Sequence, residues 1–200
     1  MFMQIIEGRV ADGAALGAQM DAWVTDLAPG ADGWLGSTAG LTADGGFVAT
    51  ARFESQAAAQ ANSARPEQGE WWAATAPAFD GDVAFTDCPE VDTIGAGGSD
   101  DAGFVQVITG RADRSAILPL AGEIEATLRR MRPDVIGGIV GWPGDGTFVQ
   151  VVYFTSEGEA RAAEGADPMS DEDRAARDRL MGMMEFHRYI DLHQPMLYSR

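Results

Sequence analysis

Cysteine is nearly missing from this chain: among 200 residues only Cys88 carries a thiol. One thiol cannot form an intrachain disulfide or a cysteine-cluster metal site, and it suits a reducing, cytoplasmic setting. Basic residues are scarce as well. Fourteen Lys plus Arg face thirty-one Asp plus Glu, a formal charge of -17. That field repels phosphate backbones and anionic lipid, which argues against nucleic acid and membrane surfaces as partners. No run approaches the roughly 18 apolar residues of a membrane span, and no basic segment followed by an apolar core opens the chain. Familiar catalytic signatures are also lacking. Gly95-Ala96-Gly97-Gly98 and Gly137-Gly138 have neither a phosphate-loop lysine nor the dinucleotide fingerprint. No Gly-x-Ser-x-Gly elbow occurs, and Cys88 has no histidine in its own half to activate it, so nucleophilic hydrolysis has no support.

What is present is an ordinary globular composition, 46% hydrophobic and 22% charged, and inside it a repeat. Phe2-Met3-Gln4-Ile5-Ile6-Glu7-Gly8-Arg9 aligns with Phe104-Val105-Gln106-Val107-Ile108-Thr109-Gly110-Arg111, with Phe, Gln, Ile, Gly and Arg identical in place. A second block keeps the same order and nearly the same distance. Asp44-Gly45-Gly46-Phe47-Val48, running on to Phe53-Glu54-Ser55, matches Asp145-Gly146-Thr147-Phe148-Val149 and Phe154-Thr155-Ser156.

Between the blocks each half carries one helix by its apolar spacing: Leu16, Met20, Trp23, Val24, Leu27 and Ile117, Leu120, Ile124, Leu128, Met131. Pro29 and Pro133 follow the last apolar position of each and end the helices. Asp44-Gly45 lies between an apolar run from Trp34 to Leu41 and the next strand, and Asp145-Gly146 follows Val135 to Trp142, which predicts two hairpins. Helical segments then start at Ser55 and Ser156. Ser170 with Asp173 forms a capping box for a further helix in which Leu180, Met181 and Met184 share a face. Closing strands run from Val83 to Cys88 and from Phe186 to Leu192.

Each half therefore reads strand-helix-strand-strand-helix-strand, an α+β unit of ferredoxin-like type. Residues 1–94 form the first repeat, 95–101 a polar glycine-dense linker and 102–200 the second repeat. A four-stranded sheet with helices on one face leaves its other face bare. The second copy can supply the cover, so the two sheets are expected to pack face to face as a pseudo-twofold barrel.

The succession Phe53-Glu54-Ser55-Gln56-Ala57, Asn62-Ser63, Pro66-Glu67 and Trp71-Trp72 resembles the strand-to-second-helix stretch of antibiotic-biosynthesis-monooxygenase-like domains. Phe154-Thr155-Ser156-Glu157-Gly158-Glu159-Ala160 echoes it in the second half, where the helix then diverges and has neither Asn nor Trp. The resemblance implies a tandem dimeric alpha-beta barrel in one polypeptide. It also implies cofactor-independent oxidation of an aromatic or quinol-like substrate by dioxygen, in an apolar pocket. Asn62 and Trp72, with Trp71 as its alternative, stand nearest the helix-borne polar and aromatic positions of such a site, and Arg52, late on the third strand, is placed to face an anionic oxygen. The same residues admit structural readings: the tryptophans as helix-to-sheet packing, Asn62 as exposed, Arg52 as a partner for a carboxylate.

Further pocket candidates are the repeated Gln4 and Gln106, together with Trp142, Tyr153 and Thr50 from neighbouring strands; a buried strand amide needs a partner. His187 and His193 invite a metal reading, but six residues apart on a strand they stand about 20 Å from each other, too far for a shared ion. No metal is expected. His187 would share a strand face with Tyr189, and either histidine alone could ligate haem. Two rivals stand beside the oxygenase reading: a non-catalytic ligand-binding or stress-related module, and a haem-binding protein. The expected partner is a small apolar or aromatic molecule, and the chain is expected to be a monomer with an internal pseudo-dimer or, through exposed sheet edges, a homodimer.

Overall fold

The computed structural model describes residues 1–165 and 170–199. It opens with β1 (Phe2–Arg9) and, after Asp12 accepts the Ala15 amide at 3.0 Å, α1 (Gly13–Ala22). That helix runs on through a π-helical turn, Trp23–Leu27, and a 3-10 turn, Ala28–Gly30, which contains Pro29. The hairpin of β2 (Trp34–Leu41) and β3 (Gly46–Phe53) follows, turning at Gly45 with φ +84°, a value that favours glycine. Ser55 caps α2 (Gln56–Ser63), Pro66 opens α3 (Pro66–Thr75), and β4 (Ala84–Cys88) completes the first motif.

After β5 (Glu90–Gly95) the motif recurs as β6 (Phe104–Ala112), α4 (Arg114–Ile117) and α5 (Ala121–Met131). It continues with β7 (Val135–Trp142), β8 (Thr147–Phe154), α6 (Glu157–Gly165), α7 (Asp171–Met181) and β9 (Met184–Leu192). The chain ends with β10 (Met196–Ser199). The predicted helix of the second half is split. Pro119, with no amide proton to donate, sits in a 3-10 turn, Leu118–Leu120, between α4 and α5. Met184 does not continue the apolar face of α7 but begins β9, two residues after the Gly182 cap.

Two five-stranded sheets result, in the orders β10-β2-β3-β1-β4 and β5-β7-β8-β6-β9. The four motif strands of each, β2-β3-β1-β4 and β7-β8-β6-β9, have the antiparallel ferredoxin-like order, with Gln4 opposite Ala51 and Gln106 opposite Val152. The fifth strands come from unexpected stretches of chain. Glu90–Gly95, read from sequence as the end of the first repeat and the first residue of the linker, joins the second sheet beside β7, and β10 pairs with β2 of the first sheet in the register Tyr198 to Ser37. The chain accordingly divides into one compact unit of Met1–Glu90 with the segment from Pro195, and another of Val91–Gln194.

In the first unit Leu16, Met20 and Trp72 from the helices pack on Ala39, Phe47 and Ala49 of the sheet, while Trp23 and Ala59 pack on Trp34 and Phe53. In the second, Ile117 and Ala160 pack on Ile108, Trp142, Phe148 and Val152. A bulge between Thr109 and Gly110 shifts the β6–β9 register, so that Phe186 opposes Gly110 and Arg188 opposes Thr109. The extra residue is His187. Period-two alternation is therefore broken, and Tyr189 stacks on Phe186, centroids 6.0 Å apart, instead of sharing a face with His187.

Candidate functional site

Each unit holds a cavity between its sheet and its helices. The first has a volume of about 300 Å³. Its floor is the helix-facing row of the sheet: Gln4 and Ile6 of β1, Ser37 and Ala39 of β2, and Ala49 and Ala51 of β3. Small residues on β2 and β3 make the room. The wall is a chain of aromatic rings: Trp23 contacts Trp71 at 6.4 Å, Trp71 contacts Trp72 at 6.0 Å, and Trp72 meets Phe85 at 5.2 Å, while Trp34, outside the lining, braces Trp23 at 5.1 Å. Edge-to-face and tilted contacts of this kind hold large rings rigidly.

The polar groups of this cavity form one directed network. Arg65 donates to Asn62 Oδ1 at 2.9 Å, Asn62 Nδ2 donates to Gln68 Oε1 at 3.3 Å, and the Trp23 indole donates to the same Gln68 oxygen at 2.7 Å. Guanidinium and indole nitrogens can only donate, so both amide orientations are fixed by their neighbours. The amide nitrogens of Asn62 and Gln68 are thereby turned into donors at the cavity wall, with the Arg65 charge behind them. Arg65 is itself anchored on the Leu27 carbonyl at 3.1 Å and on Glu67 at 3.2 Å. Asn62 is buried, 6% exposed. On the opposite side Gln4 donates to Asp87 at 2.8 Å across the β1–β4 pair.

At the sheet edge, Tyr198 of β10 lines the same cavity and its hydroxyl donates to Asp21 of α1 at 3.1 Å. Burial, and then the neighbouring Asp21 carboxylate, push the Tyr198 phenol up to about 12, so it remains a donor at neutral pH. Gln68, Arg65, Trp23 and Tyr198 were not singled out from sequence. Only the approach of three separate segments makes them neighbours, and local pattern carries no sign of that.

The second cavity is larger, about 810 Å³. Gln106 lines it and donates to Asp191 at 2.9 Å, repeating the Gln4–Asp87 pair in the same register, and Asp191 also receives Arg161. Trp142 lines it too and donates to Asp92 at 2.8 Å. Arg114 grips the same carboxylate through two nitrogens, each at 2.8 Å, and holds it below the usual carboxylate range. Counting from the capping serines, Asn62 corresponds to Ala163, so no amide hangs from α6 here.

Of the residues predicted from sequence, Gln4, Asn62, Trp71 and Trp72 come together in the first cavity, which Thr50 also borders, and Gln106 and Trp142 line the second. Arg52 and Tyr153 line neither: both lie on the alternate faces of their strands, Arg52 at 8% exposure with its Nε lacking a hydrogen-bond partner and Tyr153 fully buried. His187 is half-exposed beside Glu185 at 3.3 Å. His193 contacts Glu157 at 2.8 Å and the Phe104 ring.

No protein-family model matches the chain. No curated protein sequence matches it either. Solved structures do match in fold. A provisionally assigned monooxygenase from Lactobacillus acidophilus superposes with a TM-score of 0.76 at 11% identity, over 99% of this chain and 95% of that one. Another from Fusobacterium nucleatum does so with a TM-score of 0.74 at 9% identity, over 100% and 94%. An anthrone oxidase-like protein matches with a TM-score of 0.59 at 10% identity, over 99% and 90%. At such identities the likeness is one of fold: the chain is a tandem of ferredoxin-like units built as in monooxygenase-like proteins. No helix among the described residues is long and apolar enough to cross a membrane.

Proposed function

We propose that the first unit binds a small, electron-rich aromatic molecule of phenol, quinol or anthrone type and promotes its oxidation by dioxygen without a bound cofactor. One observation carries this reading: an aromatic-walled cavity of about 300 Å³ lined by two amides, Asn62 and Gln68, whose orientation is fixed by Arg65 and the Trp23 indole. Loss of a proton makes such a substrate an anion that reduces dioxygen. Donors placed in a water-poor site favour that anion far more than they would in water. Trp71 and Trp72 hold the ring plane. For an anthrone the overall change turns a ring methylene into a carbonyl, and for a phenol or quinol it turns a ring C–H into a C–O bond as the ring becomes a quinone; in each case one oxygen atom stays in the product, the other leaves as water with two substrate hydrogens, and the substrate supplies every electron. The matched anthrone oxidase-like fold supports this choice of substrate class. Arg52 has no part in this proposal, because it stands on the sheet face away from the cavity.

The test is dioxygen uptake by the purified chain with anthrones and reduced naphthoquinones. Trp72→Ala with an unchanged circular dichroism spectrum should lose turnover; unchanged turnover would remove Trp72 from the mechanism. Saturable binding of these compounds with no oxygen uptake would favour a ligand-binding protein over an enzyme.

A further inference from the structure

The second unit carries an apolar cavity that the proposed chemistry does not use, and its chemistry is unlike that of the first. At about 810 Å³ it holds some 27 water volumes at liquid density, against about 10 for the first cavity. Its sheet side carries four aromatic rings, Trp142, Phe154 and the stacked pair Phe186–Tyr189, whose planes differ by 28°, among aliphatic strand residues such as Ile108, Val140 and Val152. Its roof is aliphatic and adaptable: Ile117, Ile124 and Leu128 from the first helices, Leu180 and Met181 from α7.

The charges on its walls are mutually committed. Arg114 is held by Asp92, Arg132 by Asp134 at 2.7 Å, Arg161 by Asp191 and Glu164, and Arg177 by Asp178 at 2.9 Å. An ionised ligand would have to compete with one of these carboxylates for its arginine, whereas a neutral ligand leaves every pair intact. A second observation marks the entrance. Among the described residues six large apolar side chains are exposed, and three of them, Leu118 at 47%, Met181 at 46% and Tyr189 at 55%, border this one cavity. Clustered exposure of that kind marks an entry for an apolar ligand.

We propose that the second unit is a separate binding site for an uncharged, multi-ring apolar molecule too large for the first cavity. It lacks the helix-borne amide donors of the first unit and binds by ring stacking and apolar burial. The proposal is independent of oxygen chemistry in the first unit.

Fluorescence titration of the full chain with Nile red, a neutral four-ring dye, tests it, with anionic anilinonaphthalene sulfonate as the charged comparison. Saturable Nile red binding should weaken at least tenfold in Ile124→Trp and in Ala121→Phe, which fill the second cavity. It should change less than twofold in Gly69→Phe, which fills the mouth of the first cavity at a position where an added Cβ meets no atom within 4 Å. Hydrogen exchange on the unaltered chain provides a readout free of folding defects: the dye should protect residues 121–131 and 184–192. The proposal is overturned by absence of saturable binding, by protection centred on residues 66–75, by equal loss in Gly69→Phe, or by equal affinity for the anionic dye.

Discussion

The two units share a strand order and a Gln–Asp pair on the same strand positions, yet their cavities have little in common. The first is lined by three of the five tryptophans, Trp23, Trp71 and Trp72, and has a donor network of Arg65, Asn62, Gln68 and Trp23. The second is more than twice as large, its helices are aliphatic, and its arginines are held in ion pairs. The difference teaches where a duplicated fold is free to change. Strands are constrained by register, since a slip of one residue turns every side chain over, whereas helices lying on a sheet can be recut without disturbing the ladder.

Even the edges follow this rule. Each sheet gains a fifth strand next to its second motif strand, and each added strand ties the sheet to the first helix of its unit. In the first unit Tyr198 reaches Asp21 of α1, and in the second Asp92 reaches Arg114 of α4. The edge-to-helix contact is made by a neutral phenol in one case and by an ion pair in the other.

The sharpest way to break the comparison is kinetic. Under the proposed chemistry Asn62→Leu removes one oriented donor and should lower kcat for quinol oxidation by about 10²–10³-fold, while Gln106→Leu in the second cavity leaves kcat within about twofold. Comparable losses in both variants would mean that the two cavities work as equals.

Next in size is an effect on stability at a shared position. Gly8 and Gly110 are equivalent in the repeat, but a Cβ at Gly110 would lie 2.2 Å from the Glu185 carbonyl oxygen in the bulge, whereas at Gly8 it meets only side chains, Phe79 at 2.8 Å first. Gly110→Ala should cost about 3 kcal/mol or more and Gly8→Ala about 1 kcal/mol in urea unfolding. Equal costs would show that the bulge is not a rigid feature.

A smaller effect separates the clamps. Asp92→Ala leaves Arg114 and the Trp142 indole without their shared acceptor and should cost about 1–2 kcal/mol. Because Arg114 lowers the folded Asp92 value, this contribution is present above the ordinary aspartate value of about 3.9 and is lost as pH falls below it. Acid titration of the unfolding midpoint in wild type and Asp92→Ala reads it directly.

The smallest effect has the opposite sign with pH. The folded Tyr198 value is raised to about 12 from an ordinary value of about 10, so its contribution is present below pH ~10 and is lost as pH climbs to about 12. Tyr198→Phe should change stability by less than about 1 kcal/mol at neutral pH and should abolish that alkaline step. Persistence of the step in the variant would assign it to other groups.

Much of the fold was legible because its signals are local. The hairpins were read to the residue from Asp-Gly turns between apolar runs, β2 over Trp34–Leu41 and β7 over Val135–Trp142. The serine caps at Ser55 and Ser170 were visible for the same reason. The site was legible in part. Asn62, Trp71 and Trp72 were found, but Arg52 was placed beside them because chain proximity says nothing of the strand face a side chain takes. His187 was paired with Tyr189 by simple alternation, which one bulged residue undoes.

By itself the sequence determined the duplication, the two ferredoxin-like motifs and the clustering of tryptophan in the first half, since composition, period and turn chemistry act over a few neighbouring residues. Tertiary structure alone decided that Glu90–Gly95 and Met196–Ser199 become edge strands. It alone brought Trp23, Arg65 and Gln68 around Asn62, and it alone gave the two cavities different sizes. Edge pairing and helix approach depend on surfaces that exist only after the sheets have formed, so no local pattern can encode them.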